Sequence, residues 1–262
     1  MSKRKTVLFL ILLLVGLGIL SYPALSNFVN QRHGSYAIEE LQEHLENADI
    51  AEQRRLAEAY NSRLLTAQGE IDEEEYNAIL NFSDGMMGYL QIPKINVNLP
   101  IYHDVTEEIL AKGVGHLPQS AFPIGGTGNH SVLTGHTGLP SAELFTDLTE
   151  LTEGDTFYIT ILDGTLAYQV DQIKVVLPSE GQDLAAVPDQ DYCTLVTCTP
   201  YGVNSHRLLV RGHRIELQQE TVQQLQTEVQ KKTLPLSWLI ILAILYPLLI
   251  ILLIFIIRKR RK

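Results

Sequence analysis

Two apolar runs, each closed off by a basic cluster, constrain this chain more than any other feature. Thr6 to Leu25 follows Lys3-Arg4-Lys5, and Leu236 to Ile257 is followed by Arg258-Lys259-Arg260-Arg261-Lys262. As helices, both runs are long enough to cross a hydrocarbon core of about 30 Å. Basic flanks stay in the cytoplasm, so two spans of this kind form a hairpin with everything between them on the outer side. Ala24-Leu25-Ser26 also fits a small-residue cleavage site; cleavage there would leave the second run as the anchor and the same outer location. Pro235 and Pro247 flank or kink the second run without abolishing it, because lipid tolerates proline in helices.

The charge is unevenly placed. The formal net charge is -10, yet the two short tails carry eight basic residues and no acidic one, which leaves the outer segment at -18. Such a surface excludes nucleic acid as the main partner and disfavours anionic lipid. It suits basic or neutral substrates such as a lysine-bearing protein, and it also keeps an exported domain soluble. The two cysteines, Cys193 and Cys198, are five positions apart on one predicted strand. An odd offset points them to opposite faces, which argues against a disulfide between them. An exported chain that keeps its thiols unpaired suggests a working thiol.

Between the runs the pattern changes character once. From Ser35 to Ala67, apolar residues at Ile38, Leu41 and Leu45, then Leu56, Tyr60 and Leu64, follow helical spacing with one apolar face, as in a stalk rising from the membrane. Gly69 to Asn81 reads as an acidic connector. From Met87 onward come short β-type runs: Gly88 to Ile92, Val97 to His103, Ser131 to Thr134, Asp155 to Leu162, Thr165 to Leu177, Tyr192 to Cys198 and His206 to Ile215. Asp163-Gly164 marks a hairpin, since glycine readily takes the positive φ of a primed turn. Many short strands in this span predict one closed β-barrel or sandwich. The predicted layout is a cytoplasmic tail (1–5), a span (6–25), a helical extension with its acidic connector (26–86), a β-barrel catalytic domain (87–217), a polar linker (218–235), a second span (236–257) and a basic tail (258–262).

The chemistry concentrates on Thr194-Leu195-Val196-Thr197-Cys198. Thr199-Pro200-Tyr201-Gly202 breaks that strand, and His206 to Arg211 resumes it, so the two strands pair as an antiparallel hairpin that brings Arg207 beside Cys198. Arg211 has the same parity but lies four residues further, about 13 Å along a strand, and with Arg214 it reads as structural. A permanently charged guanidinium can hold an oxyanion without losing its proton. His136, in Thr134-Gly135-His136-Thr137-Gly138, ends an apolar strand between glycines that leave its ring reachable; His130 is its nearest competitor, and His206 points the other way. A thiolate needs a positive neighbour and a group to protonate the leaving amine, and Arg207 and His136 supply them. A Cys/His metal site is the weaker alternative, since neither CxxC nor HxxxH occurs. A tethered barrel that binds a partner without chemistry, its Cys198 merely packed, is the reading of another class.

These residues carry a family likeness. Thr194 to Cys198 matches the TLxTC signature of sortases, with Arg207 on the next strand and Thr134-Gly135-His136 as the histidine segment. The stretches Val132 to Ala142 and Cys198 to Gly212, together with the helical extension and the second span, resemble class C, the pilin-polymerising sortases. The resemblance covers about Met87 to Arg214. It implies an eight-stranded β-barrel with two flanking membrane helices, no cofactor, and a location on the surface of a Gram-positive bacterium. Cys198 would attack the Thr-Gly bond of an LPxTG-type sorting signal, His136 would protonate the leaving amine, and a pilin lysine would resolve the thioester into an isopeptide bond. The alternative acceptor is the amine of the peptidoglycan precursor, which would make it a wall-anchoring enzyme. Many class C members cover the cysteine with a lid bearing an Asp-Pro-aromatic motif; Ala67 to Asn81 has none, and its carboxylates could instead approach Arg207.

Overall fold

The computed structural model describes residues 3–66 and 72–217. The predicted linker 218–235, the second span 236–257 and the basic tail 258–262 lie outside the described residues. The predicted first span and the start of the stalk are one element, α1 (Lys3–Asn47), continuous through Pro23. Its stretch from Ile11 to Asn47 is long and apolar enough to cross a membrane, and is the one such helix among the described residues. The chain breaks at Ala48-Asp49, where the Glu52 amide donates to Asp49 Oδ1 at 3.0 Å, an N-terminal cap for α2 (Ile50–Thr66). The predicted apolar face is the buried one. Ile38 and Leu41 pack on Met86, Tyr89 and Tyr102, while Tyr60 enters the main core with Leu56 and Leu64 against it.

Eight strands close a barrel in the order β1-β2-β3-β4-β7-β8-β6-β5. They are β1 (Met86–Ile92), β2 (Val97–His103), β3 (Val114–His116), β4 (His130–Thr134), β5 (Thr156–Ile161), β6 (Gly164–Val176), β7 (Tyr192–Thr199) and β8 (His206–Ile215). The sheet is mixed, because β2 with β3 and β4 with β7 run parallel. Closure removes sheet edges and encloses a core built on Leu90, Ile101, Leu133, Phe157, Leu195 and Val210. Along β7 the alternation is clear: Cys193 and Leu195 face that core, whereas Val196 packs outside with Val132 and Leu209. The glycine at 212 is required here, since a Cβ would stand 2.7 Å from the Phe157 ring.

Three local expectations need correction. β3 is missing from the sequence reading, because three residues are too few for an alternating pattern to register. The β5–β6 hairpin turns where predicted, yet the positive φ falls on Leu162 (54°) and not on Gly164, because Ile161 pairs with Gly164 and leaves Leu162-Asp163 as the two-residue turn. The acidic connector is partly a helix, α3 (Glu73–Ala78), whose Asp72 caps the amides of Glu74 and Glu75. Its charges are engaged away from Arg207: Glu75 pairs with Arg63 of α2. Tyr76, 2% exposed, donates its hydroxyl proton within a buried cluster with His116 and Phe122. Glu75 is thus paired with α2, and no ion pair joins this segment to Arg207 among the described residues.

Candidate active site

Ladder register brings the three singled-out residues to one end of the barrel. In the β7–β8 pair, Cys198 stands opposite Arg207, as the antiparallel hairpin requires, with Pro200 to Ser205 forming the intervening loop. In the parallel β4–β7 pair, Thr134 stands opposite Val196. The Gly135 amide continues that ladder by donating to Val196 O at 3.0 Å. The same two-residue step beyond Thr134 and Val196 reaches His136 on one strand and Cys198 on the other. Neighbouring strands are about 4.8 Å apart, so imidazole, thiol and guanidinium occupy three adjacent strand ends.

Several contacts fix the histidine segment. Thr197, buried, donates its hydroxyl proton to Gly135 O at 2.7 Å, which ties the residue before Cys198 to the residue before His136. Gly135 must lack a side chain, since a Cβ would meet the Phe145 ring at 2.7 Å, and the Phe145 amide in turn donates to His136 O at 3.0 Å. His136 Nε2 lies 3.2 Å from Glu107 Oε1 on α4 (Glu107–Leu110). An anionic acceptor at Nε2 favours the tautomer that carries its proton there and leaves Nδ1 free. Beyond the site, the exposed Tyr201 ring lies over Gly138, whose φ is 76°.

The two thiols are in opposite surroundings. Both are free. Cys193 is fully buried in the interior, and burial, then the nearby Asp191 carboxylate, push its pKa well up. Cys198 shares the outward parity of Val196 and is partly exposed. The rival cations and imidazoles are committed elsewhere. Arg211 makes two 3.0 Å bonds to Asp171 and stacks over Tyr192 at 4.2 Å. Arg214 lies over the Tyr168 ring. His130 is closed at both nitrogens, donating to Ala185 O at 2.9 Å and accepting from Thr194 Oγ1 at 2.7 Å. His206 bonds Ser205 Oγ. Arg207, by contrast, spends its Nη1 on the backbone carbonyls of His206 and Asn204, which leaves its charge uncommitted to those rivals' carboxylates.

Sequence reasoning missed Glu107, Thr197 and Phe145. Thr197 was legible in principle, since its parity within Thr194-Leu195-Val196-Thr197-Cys198 points it inward from the strand end. Glu107 carried no signal, because α4 is distant in sequence from His136. Among the described residues no group of three or more His, Cys, Asp or Glu side chains is placed to hold a metal ion. A shallow cleft lies between α1 and the barrel, lined among others by Asn30, Ser35, Asn98 and Asp147. It includes none of the three strand-end residues.

Residues 90–215 match the model of the sortase domain. The chain is 30% identical over 131 residues to sortase D of Bacillus subtilis (strain 168), an alignment covering 49% of this chain and 63% of that protein, so the chain spans a little under two thirds of this curated relative's length. Among solved structures it is similar to sortase C1 from Streptococcus agalactiae, with 45% identity, a TM-score of 0.67, and coverage of 70% of this chain and 100% of that one. It is likewise similar to the pilus-related sortase C of Group B Streptococcus, at 43% identity and a TM-score of 0.62, covering 68% of this chain and 96% of that one.

Proposed function

This chain belongs to the sortase family of cysteine transpeptidases, and we propose that it joins pilin subunits to one another at the outer face of the membrane. The observation that carries this reading is the register that sets Cys198 beside Arg207 on one side and the His136 segment on the other. Likeness to structures described as pilus-related supports the pilin substrate.

In the proposed reaction the Cys198 thiolate attacks the threonine carbonyl of an LPxTG-type signal. Arg207 stabilises the oxyanion of the tetrahedral intermediate, a contribution of the size that costs about 10²- to 10³-fold when one such donor is removed. His136 gives its proton to the departing glycine amine as the C–N bond breaks, which leaves a thioester. A lysine amine of the next subunit then attacks that thioester and loses its proton to His136. The sulfur departs as thiolate and an isopeptide bond remains. No net proton or electron is consumed, so the reaction needs no cofactor. The strongly acidic outer segment suits approach of a basic lysine. We place the described domain on the cell surface, anchored by α1 and by the second apolar run, 236–257.

Cells carrying Cys198→Ala are expected to export intact subunits yet form no high-mass, boiling-resistant pilin ladders on denaturing gels. Ladders of unchanged length in that variant would refute the reading. Subunits linked only to the peptidoglycan precursor by the native enzyme would replace it with wall anchoring.

A further inference from the structure

The helix that crosses the membrane and the helix that holds the barrel are one element. The apolar run ends at Leu25, and α1 continues unbroken to Asn47. Over that continuation it is clamped to the barrel at several points. The Glu143 amide donates to Asn27 Oδ1 at 3.0 Å. Gly34 approaches Pro100 so closely that a Cβ would stand 3.3 Å from the proline ring. Ser83 donates to Glu40 at 3.0 Å. Ile38 and Leu41, each 1% exposed, are sealed against Met86, Tyr89 and Tyr102. Contacts running from Asn27 to Leu41 extend along about 21 Å of helix, too long a lever for the barrel to swivel as on a flexible tether.

Strand directions decide which end of the barrel faces the bilayer. Asn96 to Leu99, at the β1–β2 turn, lie with Asn27 to Ser35 of α1, whereas Tyr102 at the other end of β2 lies with Ile38 and Leu41. β2 therefore runs away from the membrane. β3 is parallel to β2, β4 antiparallel to β3, and β7 parallel to β4, so β4 and β7 both run toward the membrane. His136 follows the membrane-facing end of β4, and Cys198 is one residue from that end of β7.

The heights can be bounded. Asn27 is two residues past Leu25, a rise of about 3 Å in an upright helix, inside a headgroup layer of about 5–8 Å per leaflet. Glu143 is bonded to Asn27, and Phe145, two residues and at most about 7 Å of chain from it, bonds His136 O. Cys198 is about one strand spacing, roughly 5 Å, further.

We propose that α1 is a rigid ruler that holds the Cys198–His136–Arg207 end of the barrel facing the bilayer at a fixed height of at most about 25 Å, so that the enzyme reaches only scissile bonds held near the membrane. The inference rests on the assignment of Cys198 as nucleophile. It makes substrate selection depend on the spacer between a sorting motif and the substrate's own membrane anchor.

The test uses the full chain in lipid nanodiscs. Seven helix-forming residues inserted between Ser26 and Asn27 lift the barrel by about 10 Å while turning it by only about 20°. Thioester formation with a soluble LPxTG peptide should stay at the native level, which also reports that the barrel is folded. Turnover of a membrane-anchored substrate should fall at least about tenfold, because the two sites can no longer be engaged together, and adding about four residues to the substrate's spacer should restore it. Unchanged turnover of the anchored substrate, or failure of the longer spacer to restore it, overturns the ruler. Absence of any thioester in the native enzyme overturns the assignment of Cys198 instead. In a Trp238→Phe background, brominated lipid should quench Ser141→Trp strongly and Asp163→Trp, at the opposite end of the barrel, weakly. Equal quenching of the two overturns the orientation.

Discussion

Cys198 and Cys193 show how one strand can carry two thiols with opposite fates. Alternation along β7 sends Cys193 into the dry interior, where burial and the Asp191 carboxylate disfavour its thiolate. The same alternation turns Cys198 outward, opposite Arg207 in the ladder. Since the thiolate is the reactive form, a small thiol reagent should modify Cys198 in the folded protein and leave Cys193 untouched until denaturant is added, as read by peptide mass mapping. Equal modification of both in the folded state would contradict the assignment. This pair was legible in the sequence, because parity and the hairpin between Thr199 and Ser205 depend only on counting residues. The contacts that hold His136 were not. Glu107 and Phe145 reach it through loops whose paths no local periodicity encodes.

At the level of elements, the helical extension belongs to the barrel's packing. Helical spacing at Ile38, Leu41, Tyr60 and Leu64 disclosed which face is buried, but not what it is buried against. The acidic run at Glu73 to Glu75 read as a solvated connector because its charges outnumber the one residue that matters, Tyr76. That tyrosine is held between Tyr60 of α2, Phe122 and His116. Its hydroxyl bonds His116 Nδ1 at 3.0 Å and accepts from the Asp104 amide at 3.1 Å, while His116 Nε2 donates to Ala121 O at 2.9 Å. The neutral imidazole is thus fully satisfied, and burial, the dominant cause, pushes its pKa down to about 3. The unfolded chain protonates the same ring near 6.5, so between 6.5 and 3 the unfolded state binds the extra proton and stability falls as pH drops. His103 and His130 are shifted in the same direction, also chiefly by burial. Denaturant unfolding should therefore show stability declining from pH 6.5 to 5, by up to about 1.4 kcal/mol per pH unit for each such histidine, with a shallower decline in His116→Gln. A flat profile would show that these rings are protonated in the fold.

For the whole molecule, basic flanks around two apolar runs predict an outer location for the segment between them, and the first of those runs is part of a helix long and apolar enough to cross a membrane. Short strands broken by glycine and proline announced a closed β architecture. Strand order was beyond that reading: parallel pairing of β4 with β7 joins segments about sixty residues apart, and only the closed barrel specifies it. That pairing brings the His136 segment to the strand end where Cys198 already stands opposite Arg207 of the antiparallel neighbour, the juxtaposition on which the proposed chemistry rests. The central claim is that the sulfur of Cys198 carries the acyl group, and intact-mass analysis of the full chain incubated with an LPxTG-type peptide measures it directly. The native protein should gain the mass of the peptide up to its threonine, map that mass to Cys198 and lose it to hydroxylamine, while Cys198→Ala gains nothing. An adduct on Cys193, or substrate joining that continues in Cys198→Ala, would contradict the account.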